Sequence, residues 1–139
     1  MTTAEAPSAT RCPARTAVDV VAARQTGRKM ADARRFSRSD QALIATAISE
    51  LTRNIVNDAG HGMVEICAVP KRRRHGLRVS ASDHGPGIAD LMPALTDGFA
   101  TGNSLGRGLP GTRRRVDDFK IASPPGQGVT VTIIKWKRK

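Results

Sequence analysis

Tyrosine is absent, and three Phe and one Trp are the whole aromatic complement of the 139 residues. That leaves no row of rings on which successive bases could stack, which argues against an RNA- or single-strand-binding surface of that kind. Only two cysteines are present, Cys12 and Cys67, far apart in sequence, and Cys67 falls in an expected strand. A disulfide scaffold is therefore not expected, and a reducing compartment is. No apolar run approaches the ~20 residues of a membrane span. The opening stretch "MTTAEAPSATRCPART" lacks the apolar block of a signal peptide. These absences predict a cytoplasmic protein with no membrane partner, a disordered leader over 1–16 and one folded domain over 17–139. A single domain of this size buries roughly two thirds of the surface its unfolded chain exposes.

Acidic residues are also scarce, 12 Asp and Glu against 23 Lys and Arg, for a net charge of +11. Much of the excess is clustered, in "KRRRHG" at 71–76, "TRRR" at 112–115 and the terminal "KWKRK". Such a balance either attracts an acidic partner (nucleic acid, nucleotide phosphate or acidic protein) or simply forms a solvated face.

Residues 18–35 read as a loose amphipathic helix through Val20, Val21, Ala23, Ala31 and Phe36, weakened by Gly27. A stronger helix follows in "FSRSDQALIATAISELTRNIVNDAG". Ser37 and Ser39 are candidate N-caps, Asp40 falls in the first turn and Gly60 is a natural stop. Its apolar residues Leu43, Ile44, Ala47, Ile48, Leu51 and Ile55 share one face. After Gly62 the period becomes two. Val64, Ile66 and Ala68 alternate with Met63, Glu65 and Cys67, and Leu77, Val79 and Ala81 repeat the alternation beyond "PKRRRHG". A second hairpin is expected from "FKIAS", "PPGQG" and "VTVTIIKW", with Val131 and Ile133 on one face. A long glycine-rich loop over 88–111 and a short helix from about Leu109 to Asp118 separate the two. The predicted fold class is α+β, a two-layer α/β sandwich with a mixed, mainly antiparallel sheet and helices on one face.

Three places carry the chemistry. Glu50 and Asn54 lie one turn apart at the edge of the apolar stripe of the stronger helix. A carboxylate and an amide so placed suit a bound cation or a nucleophilic hydroxyl, or they are a surface pair without a role. In "ASDHGPGIAD" a Gly-Pro-Gly turn adjoins Asp83, which the turn alone does not explain. In "TGNSLGRGLPGTRRR", Gly106, Gly108 and Gly111 either let the backbone approach a ligand or serve as a flexible connector, and no Walker lysine follows.

In their order, "ELTRN", "DHGPGI" and "LGRGLPG" resemble the N box and the two glycine boxes of the ATPase superfamily shared by gyrase, sensor histidine kinases and mismatch-repair proteins. Within it, "VVAARQTGRKMA", "ATAISELTRNI", "DGFATGNSLGRGLPGTRRRVDDF" and the terminal "KW" look like the small serine/threonine switch kinases of bacterial stress signalling, relatives of the anti-sigma-factor kinases. The resemblance covers residues 17–136. It implies the histidine-kinase-like ATPase fold, with ATP and Mg2+ as cofactors. It also implies transfer of phosphate to an antagonist protein of the STAS type. A metal-dependent protein phosphatase or a sigma factor would be a further partner, and the resembling kinases commonly form homodimers. The alternative it allows is an anti-sigma factor that sequesters a sigma factor. A nucleic-acid module driven by charge alone leaves all three boxes unexplained.

Residue by residue, the resemblance gives Asp83 the adenine amino group and Asn54 the Mg2+ ion. It makes Glu50 the base that takes the proton of the attacking hydroxyl. Gly85 and Gly87 keep Cβ atoms away from the nucleotide, and Gly106, Gly108 and Gly111 cradle the phosphates. Two positions depart from the pattern. Arg107 stands where a small or apolar residue is usual, and grips phosphate or turns to solvent. Val129 occupies the place of a threonine, and Thr130, counted among the nucleotide-binding residues, follows it on the other sheet face, which puts one hydroxyl near the adenine in question. His61, His75 and His84 are assigned no function.

Overall fold

A computed structural model describes residues 9–71, 74–83, 112–114, 116–122 and 128–137. In chain order these form β1 (Thr10–Ala14), α1 (Ala17–Ala33), α2 (Arg38–Asp58), β2 (Gly62–Lys71), β3 (Arg74–Asp83), β4 (Asp118–Ala122) and β5 (Thr130–Trp136). The five strands make one sheet in the order β1-β2-β3-β5-β4. Every pairing among the described strands is antiparallel, in keeping with the expected mainly antiparallel sheet. The hairpins β2–β3 and β4–β5 pair antiparallel, and β5 returns between β3 and β4, so that these two parallel strands never pair with each other. That return sets the end of β3 against the start of β5, with Ser82 opposite Thr130.

The period-two reading assigns the sheet faces correctly. Val64, Ile66, Leu77, Val79, Ala81, Val131 and Ile133 are all buried, on the face that also carries Cys12 and Ala14 of β1. α1 and α2 pack on each other and close this face. The leader is not disordered over its second half. Thr10–Ala14 pairs with β2 in the register Cys12 opposite Val64, because alternate residues Cys12 and Ala14 supply apolar side chains to the core. The helix expected to run from Leu109 to Asp118 is helical over 112–114, and Asp118 already belongs to β4, its alternation with Phe119 and Ile121 following the strand period. The expected loop over 88–111 lies outside the described residues.

α1 starts at Thr16, where the Asp19 carboxylate accepts the backbone N–H groups of Arg15 (2.9 Å) and Thr16 (3.3 Å). The Arg15 guanidinium binds the same oxygen at 3.2 Å and holds the Asp19 carboxyl below the usual carboxylate range. Val20, Ala23 and Ala31 are buried as expected, whereas Val21 is 42% exposed, because the α1 stripe facing α2 is narrower than the apolar composition suggests. Gly27, expected to weaken the helix, is buried at its crossing with α2. A Cβ there would stand 2.1 Å from Cδ1 of Ile48. The glycine thus permits the close helix approach. Arg35 takes a positive φ of 64°, and the Phe36 N–H reaches back to the Ala31 carbonyl at 3.0 Å, which returns Phe36 to the core.

α2 is capped by Ser37, whose hydroxyl accepts the Asp40 N–H at 3.1 Å. Past its last turn Gly60, with φ 87°, donates to the Ile55 carbonyl at 3.0 Å. A buried ion cluster ties the start of this helix to the sheet. Lys135 occupies a core-facing register position opposite Leu77, so its ammonium must find carboxylates inside. Asp40 lies 3.9 Å away and Asp117 3.5 Å away. The second Asp117 oxygen accepts the Trp136 N–H at 2.7 Å.

Candidate functional site

The site is built where α2 passes over the end of β3 and the start of β5. From α2, Leu51, Asn54 and Ile55 reach the sheet. From β3 and β5 come Ala81, Asp83, Val129 and Val131, and these seven residues line a small cleft. Helical spacing explains the first group, since Leu51, Asn54 and Ile55 sit three and four apart on one face. Strand alternation explains Ala81, Asp83, Val129 and Val131. Two of the residues singled out from sequence, Asn54 and Asp83, are thereby brought together across the layer boundary.

Asn54 is 5% exposed, and its Nδ2 has no hydrogen-bond partner among the described residues. A buried amide donor without a partner is a costly arrangement in a native protein and points to a group yet to bind. A half-turn about the last side-chain torsion exchanges its nitrogen and oxygen, so the same amide offers either a donor or a hard oxygen. Asp83 ends β3. Its backbone N–H donates to the Val129 carbonyl at 3.0 Å, and its Oδ1 accepts the Val129 N–H at 3.2 Å. The carboxylate is therefore aimed by the neighbouring strand. Sequence reasoning missed this role of Val129, because a backbone amide leaves no mark in residue type.

Glu50 lies one turn before Asn54 on α2, and its side chain is 30% exposed. Its carboxylate pairs with the Arg53 guanidinium of the same helix. Arg53 was readable in the sequence as an i, i+3 partner. Glu50 does not line the cleft formed by the described residues. Thr130 does not either. It stands on the sheet face opposite Val131, where its hydroxyl meets that of Ser82 at 3.3 Å. Strand alternation thus sets it apart from the described cleft. Gly85, Gly87, Gly106, Arg107, Gly108 and Gly111 lie outside the described residues.

The chemistry of the cleft suits a nucleotide. The described part of the cleft is small, about 10 Å³; Leu51, Ile55, Ala81, Val129 and Val131 line it with aliphatic groups, Asp83 adds an aimed acceptor and Asn54 the orphaned amide. Mg2+ usually takes one or two protein oxygens and completes its shell with phosphates and water, a demand one amide can meet. Elsewhere, burial pushes the Cys12 thiol up, partly offset by a hydrogen bond with Thr26. Cys12 and Cys67 are both buried, form no disulfide and lie outside the cleft. No helix among the described residues is long and apolar enough to cross a membrane.

Comparison with known proteins agrees with this geometry. Over 120 residues the chain is 48% identical to serine/threonine-protein kinase RsbT of Bacillus subtilis (strain 168), a span of 86% of this chain and 90% of that protein. Residues 39–139, which include α2 and every strand after it, match the histidine kinase-, DNA gyrase B- and HSP90-like ATPases. With its aimed carboxylate and orphaned amide facing one cleft, the chain belongs to that ATPase family.

Proposed function

We propose that this chain is a serine/threonine protein kinase that uses ATP with Mg2+ to phosphorylate a small antagonist protein of the STAS type, in the cytoplasm, as a partner switch. The observation that carries the reading is the cleft joining Asn54 and Asp83 in a chain so close in sequence to a serine/threonine kinase. Asp83, oriented by Val129, accepts a hydrogen bond from the adenine amino group. Asn54 holds Mg2+ through its amide oxygen, and the ion supplies positive charge for the phosphates. Gly85, Gly87, Gly106, Gly108 and Gly111 let the backbone approach the nucleotide, with Arg107 as a cation beside the phosphates.

Glu50 acts as general base once its carboxylate leaves Arg53 for the substrate hydroxyl. The hydroxyl proton passes to Glu50, and the hydroxyl oxygen bonds to the γ-phosphorus. The bond from that phosphorus to the bridging oxygen breaks, and ADP leaves. Phosphorylated substrate then releases the kinase to a second partner, a metal-dependent phosphatase.

The surface supports an acidic protein partner. A groove between α1 and α2 is lined by Arg28, Lys29 and Arg38. Its one carboxylate, Asp32, accepts from the Gln41 amide at 3.2 Å. Val18 and Val21, the exposed large apolar residues among those described, belong to the same α1.

The test is incubation with labelled ATP, Mg2+ and the antagonist protein, scoring phosphate on the antagonist. Glu50→Ala is expected to abolish transfer while calorimetric nucleotide affinity stays within about twofold, as removal of a proton acceptor alone implies. Loss of binding in that variant would remove Glu50 from the base role.

A further inference from the structure

A second cavity lies at the hairpin end of β2 and β3, far from the nucleotide cleft. Ala68 stands opposite Leu77 there, and Pro70 opposite His75. The Lys137 N–H donates to the His75 carbonyl at 2.7 Å, which carries the ladder onto the end of β5. Strand alternation puts Pro70, His75 and Lys137 on the face that carries Leu77 and Lys135, one row beyond them. Arg34, the residue that follows α1, closes the other side, and with Ala68, Val69 and Gly76 the space enclosed is about 510 Å³. Gly76 and Asp83 stand seven positions apart on β3, about 23 Å at about 3.3 Å per residue.

The lining is basic and aliphatic. Arg34, His75 and Lys137 bring the polar groups, while Ala68, Val69 and Pro70 bring apolar surface. Among the described residues no carboxylate lines the cavity, and none of the three basic side chains has an ion-pair partner. Arg74, next to His75, is engaged on the other side of the sheet, its guanidinium 4.5 Å from the Trp136 ring centroid. Basic groups gathered in a concave place without a counter-charge create a positive potential that an anion relieves. The volume is that of a site for a small organic ligand, about 300–1,000 Å³, and a bare ion fills little of it. One arginine fork satisfies a carboxylate. A phosphoryl group offers three acceptor oxygens and up to two charges, which matches three separate donors.

We infer that this cavity binds a phosphomonoester carried on a small apolar body. Arg34 and Lys137 meet the phosphoryl oxygens as cations, and His75 donates a ring N–H to the third. Ala68, Val69 and Pro70 receive the body. The inference stands apart from the nucleotide reading, since the two sites share no lining residue.

Phenyl phosphate is the probe, titrated into the isotope-labelled full chain and followed by its amide NMR signals. Salt at about 0.15 M screens diffuse attraction to a protein of net charge +11. Saturable shifts are expected at Ala68, Val69, Gly76 and Lys137, with Asn54, Asp83 and Val129 unmoved. Inorganic phosphate, with no body to bury, should bind about 5-fold or more weakly. Benzoate, with one charge and two oxygens, should bind about 10-fold or more weakly. Arg34→Gln and Lys137→Gln alter an exposed and a half-buried position and should each weaken phenyl phosphate about 10-fold. Lys120→Gln, on β4, should leave its affinity unchanged.

Shifts at the three cleft residues overturn the inference, as do shifts that spread over the basic surface without saturating. Inorganic phosphate as tight as phenyl phosphate means an adventitious ion only, and benzoate as tight removes the phosphoryl group from the argument. Unchanged affinity in both Gln variants removes the cavity. A phosphoserine peptide more than about 10-fold tighter than phenyl phosphate overturns the small-molecule assignment, because the chain around the phosphate then supplies the binding.

Discussion

Asn54→Leu separates what the buried amide does for the empty protein from what it does for the liganded one. The side chain is 5% exposed among Leu51, Ile55, Ala81 and Val131, and its Nδ2 has no partner among the described residues. A buried donor left unpaired costs about 1–3 kcal/mol, so an apolar replacement of similar size should recover about 1 kcal/mol at the low end of that range. For a domain of this length the gain raises Tm by about 3–5 °C. Ligand acts in the opposite direction. At 100 times its dissociation constant, Mg-ATP should stabilise the parent by about 2.7 kcal/mol, or about 10 °C on the same scale. The Leu variant, with no oxygen to offer the ion, should lose most of that shift. Thermal unfolding of both proteins, with and without Mg-ATP, gives four numbers that must cross: the variant melts higher when empty and lower when loaded. A Leu variant that melts below the parent without ligand refutes the orphaned-donor reasoning. One that keeps the full nucleotide shift refutes the ligand role.

The remaining predictions concern the frame around the cleft. Ser37→Ala removes the hydroxyl that accepts the Asp40 N–H and should cost about 1 kcal/mol, measured by urea unfolding with an unchanged m value. Lys135→Met leaves two carboxylates facing an apolar side chain in place of a buried ammonium 5% exposed. Breaking such a cluster from one side should cost about 3 kcal/mol, and a variant of parental stability would show that the ammonium is dispensable. Asp19 contributes through the Arg15 guanidinium and the helix start, which hold its carboxyl below its ordinary value. That contribution is fully present above the ordinary carboxylate pKa of about 3.9 and disappears as pH falls through the lower folded value. Asp19→Asn should therefore flatten the fall of Tm in acid and leave its pH dependence near neutrality unchanged.

Much of this frame was legible in residue order. The Ser37 cap, the apolar face of α2 and both hairpins follow from local spacing, which is why they read correctly. The N-terminal strand did not, because a short segment with Pro13 and two charged or polar neighbours becomes a strand only when β2 offers its edge. Gly27 was read as a weakness for a related reason: helix propensity is local, while the room it leaves for Ile48 exists only once two helices cross. At the cleft, the types and order of Glu50, Asn54 and Asp83 were visible. The Val129 amide that aims Asp83, and the Arg53 guanidinium that occupies Glu50, are contacts made by tertiary placement and rotamer choice. The strand period already put Thr130 on the side of the sheet away from Val131, where its hydroxyl meets Ser82.

The crossing at Gly27 has a mechanical corollary. Where a glycine lets two helices mesh this closely, there is no compressible layer between them, and native packing transmits small displacements instead of absorbing them. Ile48, the residue that fills the notch, precedes Glu50 by two positions on the same rod. A protein pressing on the outer flank of α1 would therefore lean on the segment of α2 that carries Glu50, the proposed base.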